Sequence, residues 1–414
     1  ADTFVFDRLT GVTERMSVGS DGAEANGAST RSLDVSYDGR FVVFGTEATN
    51  LADLECQLVL VDRALGTRDC IDVGQDGEPA EGFVNTPTVN ADGTMVAFVA
   101  TDSSLGSYDD SAFSHVYVRL REPRPVDTWP PVPDEVVPVV APTTVDIASV
   151  DGTGEWGSAN SGGASVSRNG RWVAFWTDAP NISGDATEGM RHIVLRDLES
   201  GTSTVLTAGA NGPSNRSYSG RIAMSDSGSV IAFHSEATNL VPNDTNGSDD
   251  VFVFRRGSGT LERVSLTYDG TELQRDARAP WLSADGSVLL YGGTSSAFGG
   301  IVPGVKWCSL VVRDLSTNAN ECVSTMSDGS RARIDAWALS GDGNTVVVRS
   351  SDALDPADGN DTSDLFAFDR SSGTWELVTV ASDGAASDAD PSYDFSVSAD
   401  GSIVLFSSQA TTLV

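Results

Sequence analysis

The stretch Val397–Val414, VSADGSIVLFSSQATTLV, reads as a strand, a tight turn centred on Asp400-Gly401, and a second strand. A third strand is expected next, and the sequence stops there. The other end, Ala1–Val18, ADTFVFDRLTGVTERMSV, begins directly with two more strands around a turn. Asp-Gly supplies the positive φ that a tight hairpin turn needs. Two strands at each end make two halves of one four-stranded unit.

The same phrase recurs along the chain. VSYDGRFVVF begins at 35, VNADGTMVAF at 89, VSRNGRWVAF at 166 and MSDSGSVIAF at 224. LSADGSVLLY follows at 282, LSGDGNTVVV at 339 and VSADGSIVLF at 397. A second hairpin phrase lies between these copies, as in FVFDRLTGVTERMSV at 4 and VFVFRRGSGTLERVSL at 251. Each repeat is therefore four antiparallel strands, a to d. One such meander cannot bury both faces alone, whereas seven stacked about an axis can. The expected fold is all-β, a seven-bladed β-propeller filling residues 1–414 as one domain. Blade 7 takes strands c and d from the N-terminus and a and b from the C-terminus. One step is long because Glu122–Pro142, EPRPVDTWPPVPDEVVPVVAP, interrupts the c–d hairpin of blade 2. That insertion reads as an extended, polyproline-like loop packed on the blade rim, with docking of a partner at Trp129 as the alternative.

The formal net charge of −33 argues against nucleic acid, whose phosphates need a basic surface. No apolar run approaches the roughly 18 residues of a membrane-spanning helix, so membrane insertion is not expected. Cys56 and Cys70 flank the c–d hairpin of blade 1, and Cys308 and Cys322 flank that of blade 5. Facing positions on neighbouring strands suit bridging, and the spacing does not resemble zinc ligation. Two disulfides, Cys56–Cys70 and Cys308–Cys322, are expected. They imply an oxidising compartment, hence an exported, extracellular or cell-surface protein.

The d–a and b–c loops share one end of each blade, here the top face. Arg31, Arg216, Arg221, Arg275, Arg278, Arg331 and Arg333 lie there, with Trp281 and Trp337 nearby. In so acidic a chain they are candidates for holding a carboxylate or sulfated ligand by bidentate pairing. The competing reading pairs them with Glu272, Asp276 and Asp335. Two b–c loops match in register. Asp244, Asn246 and Asp250 in blade 4 correspond to Asp358, Asn360 and Asp364 in blade 6. Alternating oxygen ligands about a Gly turn resemble the start of a calcium loop, without the distal Glu of an EF-hand. Calcium is therefore the expected cofactor, against the alternative of Asx turns that satisfy their own backbone. His115 and His192 open strand c of blades 2 and 3, in a column shared with Asp2, Asp250 and Asp364, and His234 ends strand b of blade 4. A transition-metal site was weighed against hydrogen-bonded structural histidine, and the structural reading is preferred.

SADGSIVLF, SEATNLVPNDTNGSDDVFVFRR and TLERVSLTYDG resemble the TolB-type, WD-like propeller repeats of secreted bacterial proteins. The resemblance covers nearly the whole chain. It implies the propeller fold and a scaffold used in binding proteins, peptidase accessory domains and some lyases, and it carries over no catalytic residues. No catalytic triad, phosphate-cradling loop or H-E-x-x-H motif stands in the sequence. The expected function is a non-catalytic binding or scaffolding propeller, a monomer or a domain of a larger chain. Its expected partner is a protein or an anionic saccharide on the top face. The alternative is a lyase or hydrolase acting on an anionic saccharide at the arginines.

Overall fold

The computed structural model describes all residues except 30, 75, 106–112, 122–144, 183–189, 210–211, 214–219, 294–297, 327–328 and 382–383. Seven four-stranded antiparallel sheets make up the fold, and it is a seven-bladed β-propeller. In order a to d, blade 1 is Arg31–Val35, Phe41–Gly45, Leu58–Asp62 and Thr67–Cys70. Blade 2 is Val84–Val89, Met95–Ala100, His115–Leu120 and Val145–Ile147. Blade 3 is Ser161–Val166, Trp172–Thr177, His192–Asp197 and Thr202–Val205. Blade 4 is Ala223–Met224, Val230–Ser235, Asp250–Arg255 and Thr260–Arg263. Blade 5 is Arg278–Leu282, Val288–Gly292, Leu310–Asp314 and Asn320–Cys322. Blade 6 is Ile334–Leu339, Thr345–Ser350, Asp364–Asp369 and Thr374–Leu377.

Blade 7 is the composite sheet expected from the chain ends. Pro391–Val397 and Ile403–Ser408 supply a and b, and Asp2–Asp7 and Val12–Arg15 supply c and d. The junction runs from Asp2↔Ser408 to Asp7↔Ile403. The insertion expected at Glu122–Pro142 falls outside the described residues. It does join strands c and d of blade 2, as the sequence implied.

Burial explains the strand sequences. Strand b of blade 1, FVVFG, is buried at every position, as is strand c, LVLVD. Inner strands are covered on both faces, so they read as continuous apolar runs. Strand d alternates exposed and half-buried in VTER, TSTV and TLER, because its outer edge meets water. Aromatic pairs recur where strand b faces strand c. Phe4 stacks on Phe406, Phe98 on Tyr117 and Phe233 on Phe252, with centroids 5.7–5.8 Å apart.

The Asp-Gly turns also set how blades meet. Gly93 has φ +68°, and a Cβ there would lie 2.5 Å from the ring of Phe41, the first residue of strand b in blade 1. Gly39 meets Ile403 of blade 7 and Gly401 meets Thr345 of blade 6 in the same way. The turn glycine thus serves twice, for positive φ and for close approach.

The chain divides into two compact units. Ala1–Ile147, Arg168–Gly170 and Asp335–Val414 form one, and Ala148–Ser167 with Arg171–Ile334 form the other. The first holds a core of Val5, Val42, Phe44, Val59, Leu405 and their neighbours, which spans blades 7 and 1. The second holds a core built on Ala232, Val253, Leu289, Tyr291 and Val311.

Candidate functional site

The residue that opens strand c is fastened in most blades to a hydroxyl just beyond strand d. Ser17 donates to Asp2 at 2.7 Å, Thr379 donates to Asp364 at 2.6 Å, and Ser265 donates to Asp250. His192 Nδ1 lies 3.0 Å from Thr207 Oγ1 in the same column. Burial holds the His192 imidazole below its usual pKa, so it is kept neutral. This supports the structural reading of His192. His115 is buried at the head of its strand, and the ring of His234 packs against Gly220. The column of Ser and Thr partners was missed in the sequence, although in blades 3, 4, 6 and 7 it falls 15 residues after strand c begins.

Blade 4 gathers more acids than the sequence pointed to. Asp244, Asp250 and Glu272 bring carboxylate oxygens within 4.8 Å of one another. Glu272 comes from the following d–a loop and was assigned only as an arginine partner. Arg263, the last residue of strand d, enters the group. It pairs with Glu272 and lies 3.6 Å from Asp244 and 3.4 Å from Asp250. Asn246 donates to Asp250 at 3.1 Å and to the Leu273 carbonyl. Burial, partly offset by Ser265 and Arg263, raises the Asp250 carboxyl to about 6.

Blade 6 repeats the scaffold without the cation. Asn360 donates to the Ser387 carbonyl at 3.0 Å, as Asn246 does to Leu273. Asp364 is fully buried and is raised to about 6 by burial and by the neighbouring Asp358 and Asp390. Leu377 ends strand d where Arg263 does in blade 4, each opposite the third residue of strand c.

That column is informative across blades. Its occupants are Cys70 and Cys322 in blades 1 and 5, and Arg15 and Arg263 in blades 7 and 4. Cys56–Cys70 and Cys308–Cys322 are both bridged, each with Cα atoms 5.8 Å apart. Arg15 pairs with Glu24 as Arg263 pairs with Glu272. A covalent bond or an ion pair thus ties the outer strand to the loops at the same end of four blades. The described residues hold a second metal-compatible group, Cys56, Cys70 and Asp72, whose sulfurs are spent in the disulfide.

The seven arginines do not share one environment. Arg216 lies outside the described residues, and Arg31 opens strand a of blade 1. Arg278 pairs with Asp249 and, at 3.1 Å, with Asp276. Arg221 is exposed and stacks 3.7 Å over the ring of Trp281, so those two are brought together. Arg275, Arg331 and Arg333 are exposed on their loops. Trp337 is buried in strand a of blade 6, which places its ring in the packing and not on the surface. Sequence reasoning missed Arg349. It reaches Asp335 at 2.6 Å and Asp390 at 3.1 Å and lies 4.3 Å under the ring of Tyr393. Arg349 sits within strand b, where a long apolar run hid it.

The exposed aromatics cluster by topology. Phe83, Phe113, Tyr268, Trp307 and Tyr393 are the large aromatic side chains most open to solvent among the described residues. All five lie in d–a or b–c loops or at the head of strand a. Tyr393 and Tyr268 are 63% and 61% exposed. Among the described residues, the turn end of the blades exposes only aliphatic side chains of this size, such as Leu9 and Leu65.

No family model matches the sequence, and no curated protein matches it. Solved structures do match. An oligogalacturonate lyase in complex with manganese aligns over 100% of this chain and 96% of its own, with TM-score 0.52 and 14% identity. An oligogalacturonate lyase from Vibrio parahaemolyticus aligns over 98% and 96%, with TM-score 0.53 and 11% identity. TolB from Acinetobacter baumannii aligns over 85% of this chain, with TM-score 0.42 and 14% identity, and this chain spans 60% of its length. At such identities the likeness is one of fold. The lyase alignments agree with the seven-bladed propeller fold described above.

Proposed function

We propose that this protein is a non-catalytic binding or scaffolding propeller, one domain over residues 1–414, working in an oxidising, exported compartment. The observation that carries the reading is the set of exposed aromatic rings on the b–c and d–a loops. Tyr and Trp presented on rigid loops are the side chains that protein and saccharide partners bury. The arginines support it as accessories. Arg278 and Arg349 are already neutralised by carboxylates, while Arg275 and Arg331 are exposed on their loops, where an anionic partner could reach them. The two disulfides support the compartment. Calcium at the acidic b–c loops belongs to this reading as a structural cation.

The runner-up is a lyase on an anionic saccharide, favoured by the fold likeness to oligogalacturonate lyases. Incubation with oligogalacturonate, with and without manganese, separates the two. The expected result is no unsaturated product. Capture of partners from the exported protein fraction should weaken at least tenfold in Tyr268→Ala/Tyr393→Ala. Accumulation of unsaturated product would transfer the function to the lyase reading.

A further inference from the structure

The b–c loop of blade 4 gathers a stronger donor set than its counterpart in blade 6. Asp244, Asp250 and Glu272 each place a carboxylate oxygen within 4.8 Å of the other two. That span is about twice a calcium–oxygen distance of roughly 2.4 Å, so one cation between them touches all three. Thr245, next to Asp244, clasps Glu272 in place. Its amide donates to Glu272 Oε1 at 2.9 Å and its hydroxyl to Oε2 at 2.7 Å. In blade 6 the place of Glu272 is taken by Ala386, each bridged to the third residue past strand d. Among the described residues the blade 6 loop brings no third carboxylate within the same span.

A second observation points to a ligand. The Asp244 side chain is 2% exposed, and neither of its oxygens has a hydrogen-bond partner. Arg263 Nη1 is 3.6 Å away, too far for a hydrogen bond. A buried carboxylate left in this way is costly. Asp364 Oδ2 in blade 6 also lacks a donor, so the orphan oxygen alone does not choose between the loops. The third carboxylate chooses blade 4. Arg263 Nη1 stands among the three acids, 2.5 Å from Glu272 and 3.4 Å from Asp250. It sets one positive charge against three carboxylates and leaves Asp244 unbonded. Its Nη2 donates to the Asn243 carbonyl at 3.0 Å, an anchor that the guanidinium keeps when Nη1 leaves the group.

We propose that Asp244, Asp250 and Glu272 bind one divalent cation of the calcium type, which takes the place of Arg263 Nη1. The inference rests on the reading above that calcium holds the acidic b–c loops. It names the loop and adds Glu272 to the ligands. Backbone carbonyls and water complete the shell. Oxygen-only donors suit calcium better than a transition metal. The cation ties the b–c loop to the d–a loop that also carries Tyr268. Displacement of Arg263 offsets the gain from the third charge, which places the affinity at about 10⁻⁴ M.

The test is calorimetric titration of the full chain with calcium chloride, alongside melting temperature against calcium. One site per chain is expected. Asp244→Asn and Glu272→Gln should each weaken binding at least tenfold, and Asp358→Asn should leave it within twofold. Arg263→Gln, which removes the competing charge, should bind at least threefold more tightly. If Asp244→Asn or Arg263→Gln fails to fold, the Glu272→Gln and Asp358→Asn pair still decides. Binding kept in Asp244→Asn and Glu272→Gln, binding lost in Asp358→Asn, or two equivalent sites would overturn the assignment to blade 4 and leave calcium standing. Unchanged affinity in Arg263→Gln would overturn the replacement of Nη1. No binding in the parent protein would overturn the site and the calcium reading together, and the partner-capture experiment would stand apart from each of these outcomes.

Discussion

Asp250 shows how one residue type takes different parts in this chain. Asp314 and Asp369 cap turns near the surface, and hydroxyl and amide donors hold their carboxyls down to about 2. Asp250 opens an inner strand, and burial lifts it to about 6 from an ordinary 3.8. Between about pH 4 and 6 the folded state therefore binds a proton at Asp250 that the unfolded state does not. This residue's contribution disfavours folding progressively as pH rises through that window. The chain has many carboxylates with opposite behaviour, so a comparison of variants is needed. Denaturant midpoints at pH 4.5 and 7 should differ by a smaller loss of stability towards pH 7 in Asp250→Asn than in the parent. An unchanged difference would mean that Arg263 compensates the charge fully. The acidic pairs at Asp244 and Asp358 were legible as spaced carboxylates. Arg263 and Glu272 were not, because they reach the loop from strand d and the next connection, and no local spacing encodes that meeting. Aligning the last residue of strand d across blades, Arg15, Cys70, Arg263, Cys322 and Leu377, is the signal that would have exposed it.

At the scale of elements, the hairpin is the unit that the sequence spells most clearly. The Asp-Gly turn and the alternation after it locate strands a and b, and the structure puts them where the repeats place them. The disulfides were legible for the same reason, since both Cys pairs fall on matching columns of the c–d hairpin. Less legible were the bulges in strand a, such as the shift between Arg278 and Trp281 in blade 5. In blades 2 and 5 they hold a non-glycine residue of positive φ, Thr86 and Ala279, which no turn motif announces. The bridges are expected to tighten hairpins that are already formed. Each closes a loop worth at most about 3 kcal/mol in the chain-entropy picture, and less where the hairpin persists without it. Thermal melting of Cys308→Ser/Cys322→Ser should show a lower transition that remains cooperative. A variant as stable as the parent would mean that the hairpin alone holds strand d of blade 5.

For the whole molecule, function was less legible than fold because the repeats spend their most regular residues on packing. Gly39, Gly93 and Gly401 each lie against the first residue of strand b in the preceding blade, so the most recurrent motif is structural. The aromatic side chains that the proposed binding role uses lie in the irregular loops, where Tyr268, Trp307 and Tyr393 have no repeat partner to reveal them. Their presentation depends on a scaffold that is closed by its two chain ends. Strand b of blade 7 pairs with Asp2–Asp7 along its full length, and blade 1 rests Gly39 on Ile403 of the same strand. Arg8 adds a bond to the Gly401 carbonyl at 2.7 Å and an ion pair to Glu376 of blade 6. Removing Ala1–Val18 strips two strands from blade 7 and bares the edge of Ile403–Ser408. Sedimentation and thermal melting of that truncated chain are the most direct test of the composite blade. Loss of the folded monomer, by unfolding or by edge-to-edge association, is the expected result. A monomer that melts at the parent temperature would contradict closure by shared strands, and with it the account of the fold.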